Sequence, residues 1–445
     1  MFTSFLFFVN VVRFLLGSEE KGERGETARR TFRALMIPFL CDGLIAGMYG
    51  SYAVYVLKKA YPSSDMLIAA APMFTVVPFM LSFPAGYFSA GRSKKPLFRL
   101  AATLYAAAGL GYLFVPAGPF FLPLFTLFGV AEAIKMPARN SILQGNFSPR
   151  ERSRFLGGLF VFSSLANIAA TFAGGSVLDL DVSFFHLLFP LAMALAILSM
   201  TVLSRIPVTT PPAAVEPRRF SAGAVVKLFS ELVSLLRRDR YFFWFEVGFF
   251  LYGWGFMTTV GVLPIFYADR FDADYTLFGL TNVILNVVLL LSPLIGRWAD
   301  RSTPLKLASI AFFTLGMYPW LLLMAPTIKV AFAAHVVFSL GMIGVSLAWN
   351  LGPIFFSGGK DASVYIGVHT SFVGLRALLA FPVAGWIKTH TSSFTVVFLF
   401  ASALFLSGFV IMLVLHFMSL RKRKIVPTVS GRFTVADSSR FPRSG

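Results

Sequence analysis

The chain has 445 residues, 57% of them hydrophobic and only 13% charged, with a mean hydropathy of +0.75. A water-soluble domain carries about 45–50% apolar and about 25% charged residues, so this excess cannot be hidden in an aqueous core and the solvent is lipid. The formal charge of +19 reads as basic residues gathered in loops on one membrane face rather than as a nucleic-acid surface, and a single cysteine, Cys41, rules out an intrachain disulfide and a cysteine-rich metal site.

Residues 1–17 are apolar but short of the roughly 20 positions a span needs, and neither a basic start nor a small-residue cleavage site is clear. They read as a helix lying on the membrane surface, with a cleaved signal as the alternative. Twelve apolar runs follow. Spans 1 to 6 cover about residues 34–57, 65–89, 98–116, 119–138, 154–178 and 182–204. Spans 7 to 12 cover about residues 241–267, 275–298, 305–325, 328–356, 363–387 and 392–418. Each is long enough to cross as a helix, whereas open strands would leave backbone groups unpaired in lipid.

The expected organisation is an N-terminal segment (1–32), a six-helix bundle (33–205), a linker (206–240), a second six-helix bundle (241–418) and a basic tail (419–445). The linker opens on Pro207, Pro211, Pro212 and Pro217, which disfavour helix. Its second part places Val225, Phe229, Leu232, Val233 and Leu236 at helical spacing beside Lys227, Arg237 and Arg238, the pattern of a basic amphipathic helix on a membrane surface. Of the 39 lysines and arginines, 31 fall on the side of the termini. Lys58, Lys59, Arg270, Lys329 and Lys388 fall opposite, and Arg13, Lys135 and Arg376 lie in or near apolar segments. The positive-inside rule then puts both termini in the cytoplasm, for a multi-pass protein of the plasma (inner) membrane. It is expected to be a monomer.

The halves repeat. Gly86-Tyr-Phe-Ser-Ala-Gly-Arg92-Ser-Lys94-Lys95 ends span 2, and Gly296-Arg297-Trp-Ala-Asp300-Arg301-Ser-Thr-Pro-Leu-Lys306 ends span 8, 210 positions later. Phe147-Ser148 and Phe356-Ser357, and Gly157 and Gly367, keep nearly the same offset. Over about residues 33–418 this arrangement resembles the major facilitator superfamily, whose signature Gly-x-x-x-Asp-Arg sits between spans 2 and 3 and recurs between spans 8 and 9. Pro137-Ala-Arg139, Pro149-Arg-Glu-Arg152 and Gly157 are similar to the family's stretch between spans 4 and 5. The resemblance implies an all-α membrane protein of twelve transmembrane helices in two pseudo-symmetric six-helix bundles. It also implies a gate at Gly86, Arg92, Lys94, Gly296, Asp300 and Arg301. The first copy has Ala90 in place of the aspartate, which shifts the latch onto Asp300. In span 5, Ala166-Asn-Ile-Ala-Ala-Thr-Phe-Ala-Gly174-Gly175 keeps the small-residue spacing of an antiporter pattern without its proline.

Ionisable residues inside a span are costly and mark function by default. Asp42, in span 1, is the expected coupling carboxyl, with a structural hydrogen bond as the alternative. Arg376, in span 11, stays charged and needs an anion, from a solute or from a protein acid such as Asp42. Glu132 and Lys135 are three apart in span 4 and can pair. Glu246, early in span 7, is expected to reach the interface. Asn286, Asn350 and His369 are further candidates for solute or proton contact, as is Tyr252, the mate of Asp42 at the 210 offset. No phosphate-binding Gly-x-x-x-x-Gly-Lys-Ser/Thr loop and no catalytic triad is present in the sequence, so no cofactor is expected.

The expected function is secondary active transport of a small organic solute by alternating access, coupled to protons, with membrane lipid and no nucleic acid as further partners. A facilitative uniporter, a lipid or lysolipid flippase and a non-transporting sensor or scaffold are the alternatives.

Overall fold

The computed structural model describes residues 23–82, 84–85, 92–147, 149–207, 222–291, 302–357 and 363–425. They form helices and short connections, with no strand among them. The first span is α1 (Glu23–Ile45), which carries Pro38, runs through a π-helical turn at Ala46–Gly50 and continues as α2 (Ala53–Ala60). It therefore begins well before the apolar run does. Next come α3 (Asp65–Val76, leading into a 3-10 turn at Val77–Leu81), α4 (Lys95–Tyr112) and α5 (Phe121–Asn146). The first half closes with α6 (Pro149–Leu180) and α7 (Phe185–Arg205). The second half comprises α8 (Ala222–Arg238), α9 (Arg240–Phe271), α10 (Tyr275–Leu289) and α11 (Pro304–Leu323). It ends with α12 (Ile328–Ser357), α13 (Ser363–Thr391) and α14 (Phe394–Ile425).

Among the described residues nine helices are long and apolar enough to cross a membrane. Shorter apolar helices, Asp65–Leu81 and Tyr275–Leu289, stand where spans 2 and 8 fall, and α4 stands where span 3 falls. The fold is thus all-α with a helix on each of the twelve stretches predicted to cross. Side-chain caps fix several starts: Ser64 accepts from the Leu67 N–H, Asp274 from Leu277 and Thr303 from Lys306. Pro304 at the first position of α11 loses no bond there.

The chain divides into two compact units. The first holds the described residues up to Pro207 together with Leu263–Leu290, and the second holds the remainder. In the first unit α1 packs on α6 and α7, α4 on α5 and α7, α3 on α5, and α6 on α10. Small residues make the α1–α6 approach possible. A Cβ at Gly43 would run into the Ser163 carbonyl, and one at Gly47 would meet Ala170 and the Asn167 carbonyl at 2.6 Å. In the second unit α11 packs on α12 and α14, and α13 on α12 and α14. On α8, Leu235 is buried while Val226 and Val233 are exposed.

Candidate functional site

In the first unit, membrane charge collects around Asp42. Asp42 Oδ1 accepts from Lys135 Nζ at 3.1 Å, and Oδ2 accepts from Arg139 Nη1 at 2.7 Å. Lys135 also donates to Glu132 at 2.6 Å, and Tyr105 donates its hydroxyl to the same glutamate. Lys135 is 4% exposed and Asp42 18%. The Arg139 guanidinium lies 5.0 Å from the centre of the Phe39 ring. Two acids and two bases therefore neutralise one another, and each has a partner in the set. The Glu132–Lys135 pair follows from helical spacing, but Arg139 corrects the sequence reading. Span 4 was expected to end near residue 138, whereas α5 continues to Asn146 and carries Arg139 one turn beyond Lys135.

Polar bonds also tie α10 to the rest of the first unit. Asp179 accepts from the Tyr275 and Thr276 N–H groups at 2.7 and 3.0 Å, capping the helix with a charge of the favourable sign. Asn282 Nδ2 shares its hydrogens among Ser51 and Asn167 at 2.6 Å and Thr171 at 3.1 Å. Lys58 pairs with Asp269 and Lys59 with Asp272. Asn286, expected to face solute, instead turns its amide back to the Asn282 carbonyl and side-chain oxygen. Asn282, one turn earlier, is the amide that bonds other helices.

In the second unit Glu246, His369 and Arg376 are ionisable residues buried within the spans. Glu246 is 3% exposed, not interfacial as its position early in span 7 suggested, because its carboxylate bonds His369 Nδ1 at 2.9 and 3.0 Å. His369, 2% exposed, packs its ring 3.8 Å from that of Trp349, and its Nε2 is buried without a partner. Arg376 is 5% exposed. It donates from Nη1 to the Phe249 carbonyl at 2.8 Å, and its Nε is buried and unpartnered. Its guanidinium carbon lies 5.5 Å from the Trp349 ring centre and 5.9 Å from that of Tyr252. Tyr252 stacks on Phe312 and points its hydroxyl at Met342 Sδ, 3.9 Å away. No carboxylate among the described residues lies within ion-pair distance of Arg376. Gly253 supplies the room: a Cβ there would overlap the Arg376 guanidinium. Asn350, expected to contact solute, is exposed and bonds the Ser346 carbonyl of its own helix. His335 is buried against the Tyr318 hydroxyl at 2.9 Å.

The 210 offset relates these two sets. Asp42 corresponds to Tyr252, Glu132 to Met342 and Arg139 to Trp349, so charge in one unit is replaced by aromatic and sulfur groups in the other. Gly43 corresponds to Gly253, and Ala166, which packs on Gly43, corresponds to Arg376. The same helix contact thus holds a methyl group in the first unit and a guanidinium in the second.

Of the expected gate, Gly86, Gly296, Asp300 and Arg301 lie outside the described residues. Arg92 is exposed. Lys94, at the start of α4, is half-buried, and desolvation pushes its ammonium below the usual lysine range.

A family model described as Major Facilitator Superfamily matches residues 35–358. No curated protein matches the chain. Among solved structures, the human organic anion transporter MFSD10 (TETRAN) is similar at a TM-score of 0.63 and 16% identity, over 86% of this chain and 99% of that one. A POT family transporter in complex with 5-aminolevulinic acid is similar at 0.64 and 14%, over 89% and 97%. The E. coli fucose:proton symporter FucP is similar at 0.58 and 15%, over 87% and 99%. At these identities the likeness is one of fold.

Proposed function

The chain belongs to the major facilitator superfamily, and from that premise we propose that it is a proton-coupled secondary transporter which moves a small organic solute bearing an anionic group by alternating access. Arg376 carries this reading. A guanidinium stays protonated in any protein setting, and burying it without an anion bonded to it costs several kcal/mol. Here the Phe249 carbonyl and two ring faces offset part of that cost, the rings by about 1–2 kcal/mol each at most. The unpartnered Nε leaves the rest for a ligand to supply. A carboxylate or phosphate on the solute provides the direct ion pair that Glu246, bonded to His369, does not make, and the acceptor geometry that arginine prefers. The organic anion transporter among the similar folds is a precedent for this class, and the fucose:proton symporter is a precedent for the coupling ion.

Asp42 has a structural part in this reading. Each of its oxygens already accepts a hydrogen bond from a base, Lys135 or Arg139. Among the described residues, the set in the second unit is the one that holds a guanidinium outside ion-pair distance of any carboxylate.

The test is a thermal-shift screen of purified protein against small carboxylates and phosphates and their uncharged amides and alcohols, at one acidic and one neutral pH. Wild-type protein is expected to be stabilised by anions and not by their neutral analogues, and Arg376→Gln by neither. Equal stabilisation by the neutral analogues, or anion stabilisation that survives Arg376→Gln, overturns the reading.

A further inference from the structure

Glu246 and His369 form a buried pair that solute binding at Arg376 does not use. A carboxylate only accepts hydrogen bonds, so with Glu246 ionised the hydrogen shared with both of its oxygens is carried on His369 Nδ1. This tautomer follows from the hydrogen-bond network. It leaves Nε2 with a free lone pair, and that atom is buried and without a partner. The pair is enclosed by Phe245 and Phe249 of α9 and Trp349 of α12. The charged or titratable groups facing it among the described residues are Arg376 of α13 and Tyr252 of α9.

Charge counting in this set gives a definite result. With His369 neutral, Glu246 and Arg376 cancel. One proton on Nε2 makes an imidazolium bonded to the Glu246 carboxylate and leaves the set at +1. In a medium of low dielectric constant an uncompensated charge is costly, so one proton favours the arrival of one monoanion, and the monoanion favours the proton.

We propose that the Glu246–His369 pair is the proton-carrying site of this protein and that it takes up one proton together with one organic monoanion at Arg376, so that the two cross as a neutral pair. This rests on the reading of Arg376 as the solute anchor. The proton adds to the Nε2 lone pair and leaves from the same atom. No bond other than N–H forms or breaks, and no oxidant or metal is needed.

Trp349 provides a direct readout, because an imidazolium quenches an indole in contact with it, and the two ring centres are 3.8 Å apart. Emission of the purified full chain is titrated with acid, and the signal of Trp349→Phe is subtracted to isolate this one ring. The expected result is a single protonation step that His369→Gln removes, since glutamine keeps a hydrogen bond to Glu246 and cannot bind the proton. Benzoate, lactate, pyruvate and nicotinate serve as monoanion probes, with benzamide and nicotinamide as neutral controls. At least one anion should move the step to higher pH, by one unit for each tenfold difference in affinity between the two protonation states. The shift should vanish in Arg376→Gln while the step itself remains. A step missing from the wild type, or persisting in His369→Gln, overturns the proton site. An intact step that no monoanion moves overturns the joint uptake. Failure of the solute reading is distinct: anion stabilisation then survives Arg376→Gln whatever the step does. In proteoliposomes the corresponding result is benzoate exchange that survives His369→Gln while benzoate-driven proton entry is lost; loss of neither contradicts the proposal.

Discussion

The two charge sets, one around Asp42 and one around Arg376, differ in a single respect. The first is closed in charge: Asp42, Glu132, Lys135 and Arg139 each meet an opposite charge, although Arg139 Nε is buried without a hydrogen-bond partner. The second is open: Arg376 meets a carbonyl and two rings, and His369 keeps one nitrogen unpaired. Repeat symmetry makes the contrast sharper, because the position of Asp42 is taken by Tyr252 and that of Arg139 by Trp349. A closed set ties helices together and resists change. An open set is costly alone and is satisfied by what binds to it. At matched positions of the repeat, charges in one unit correspond to aromatic rings in the other.

The largest expected effect falls on the open set. Arg376→Gln should weaken anion uptake about 10- to 100-fold, the equivalent of about 1.5–3 kcal/mol for a lost charge-assisted hydrogen bond, measured as initial uptake by proteoliposomes. Breaking the closed set should act on stability instead. Asp42→Asn leaves Lys135 and Arg139 without their shared anion and should cost about 2 kcal/mol, read as a lowered melting temperature with unchanged anion affinity. Wild-type stability together with lost coupling would reverse the assignment of the two sets. Next come the matched glycines. Gly253→Ala pushes a methyl group into the Arg376 guanidinium and should cost about 1–2 kcal/mol and weaken anion binding as well. Gly43→Ala meets Ala166 and the Ser163 carbonyl and should lower stability alone. Identical anion affinities in the two variants would erase the contrast. The smallest effect lies outside both sets: Asp179→Asn should cost about 0.5 kcal/mol by weakening the charge at the α10 N-terminus, measured by thermal melting.

The positions of the helices were legible in the sequence as apolar runs, nine of them long and apolar enough to cross a membrane among the described residues, and the pairing of Glu132 with Lys135 was legible because helix geometry fixes neighbours three apart. What the pattern could not supply was which helix faces meet. Asp42 finds Lys135 93 positions away, and Glu246 finds His369 123 positions away. No local periodicity reports such distances, so the sequence left Asp42 between a coupling acid and a structural hydrogen bond, and placed Glu246 at the interface. Asn286 and Asn350 bond within their own helices, a choice of rotamer that composition cannot foretell. The 210 offset held a usable signal. It pairs Gly43 with Gly253 and Ala166 with Arg376, and the meaning of that pairing emerged only once Gly43 and Ala166 were seen to touch.

The most direct measurement is uptake by proteoliposomes of small organic monoanions beside their neutral amides, under an imposed proton gradient, for wild-type protein and Arg376→Gln. The account predicts that the wild type takes up anions and excludes amides, and that the variant excludes amides and takes up anions about 10- to 100-fold more weakly. Amides carried as well as anions, or anion uptake undiminished in Arg376→Gln, would contradict it.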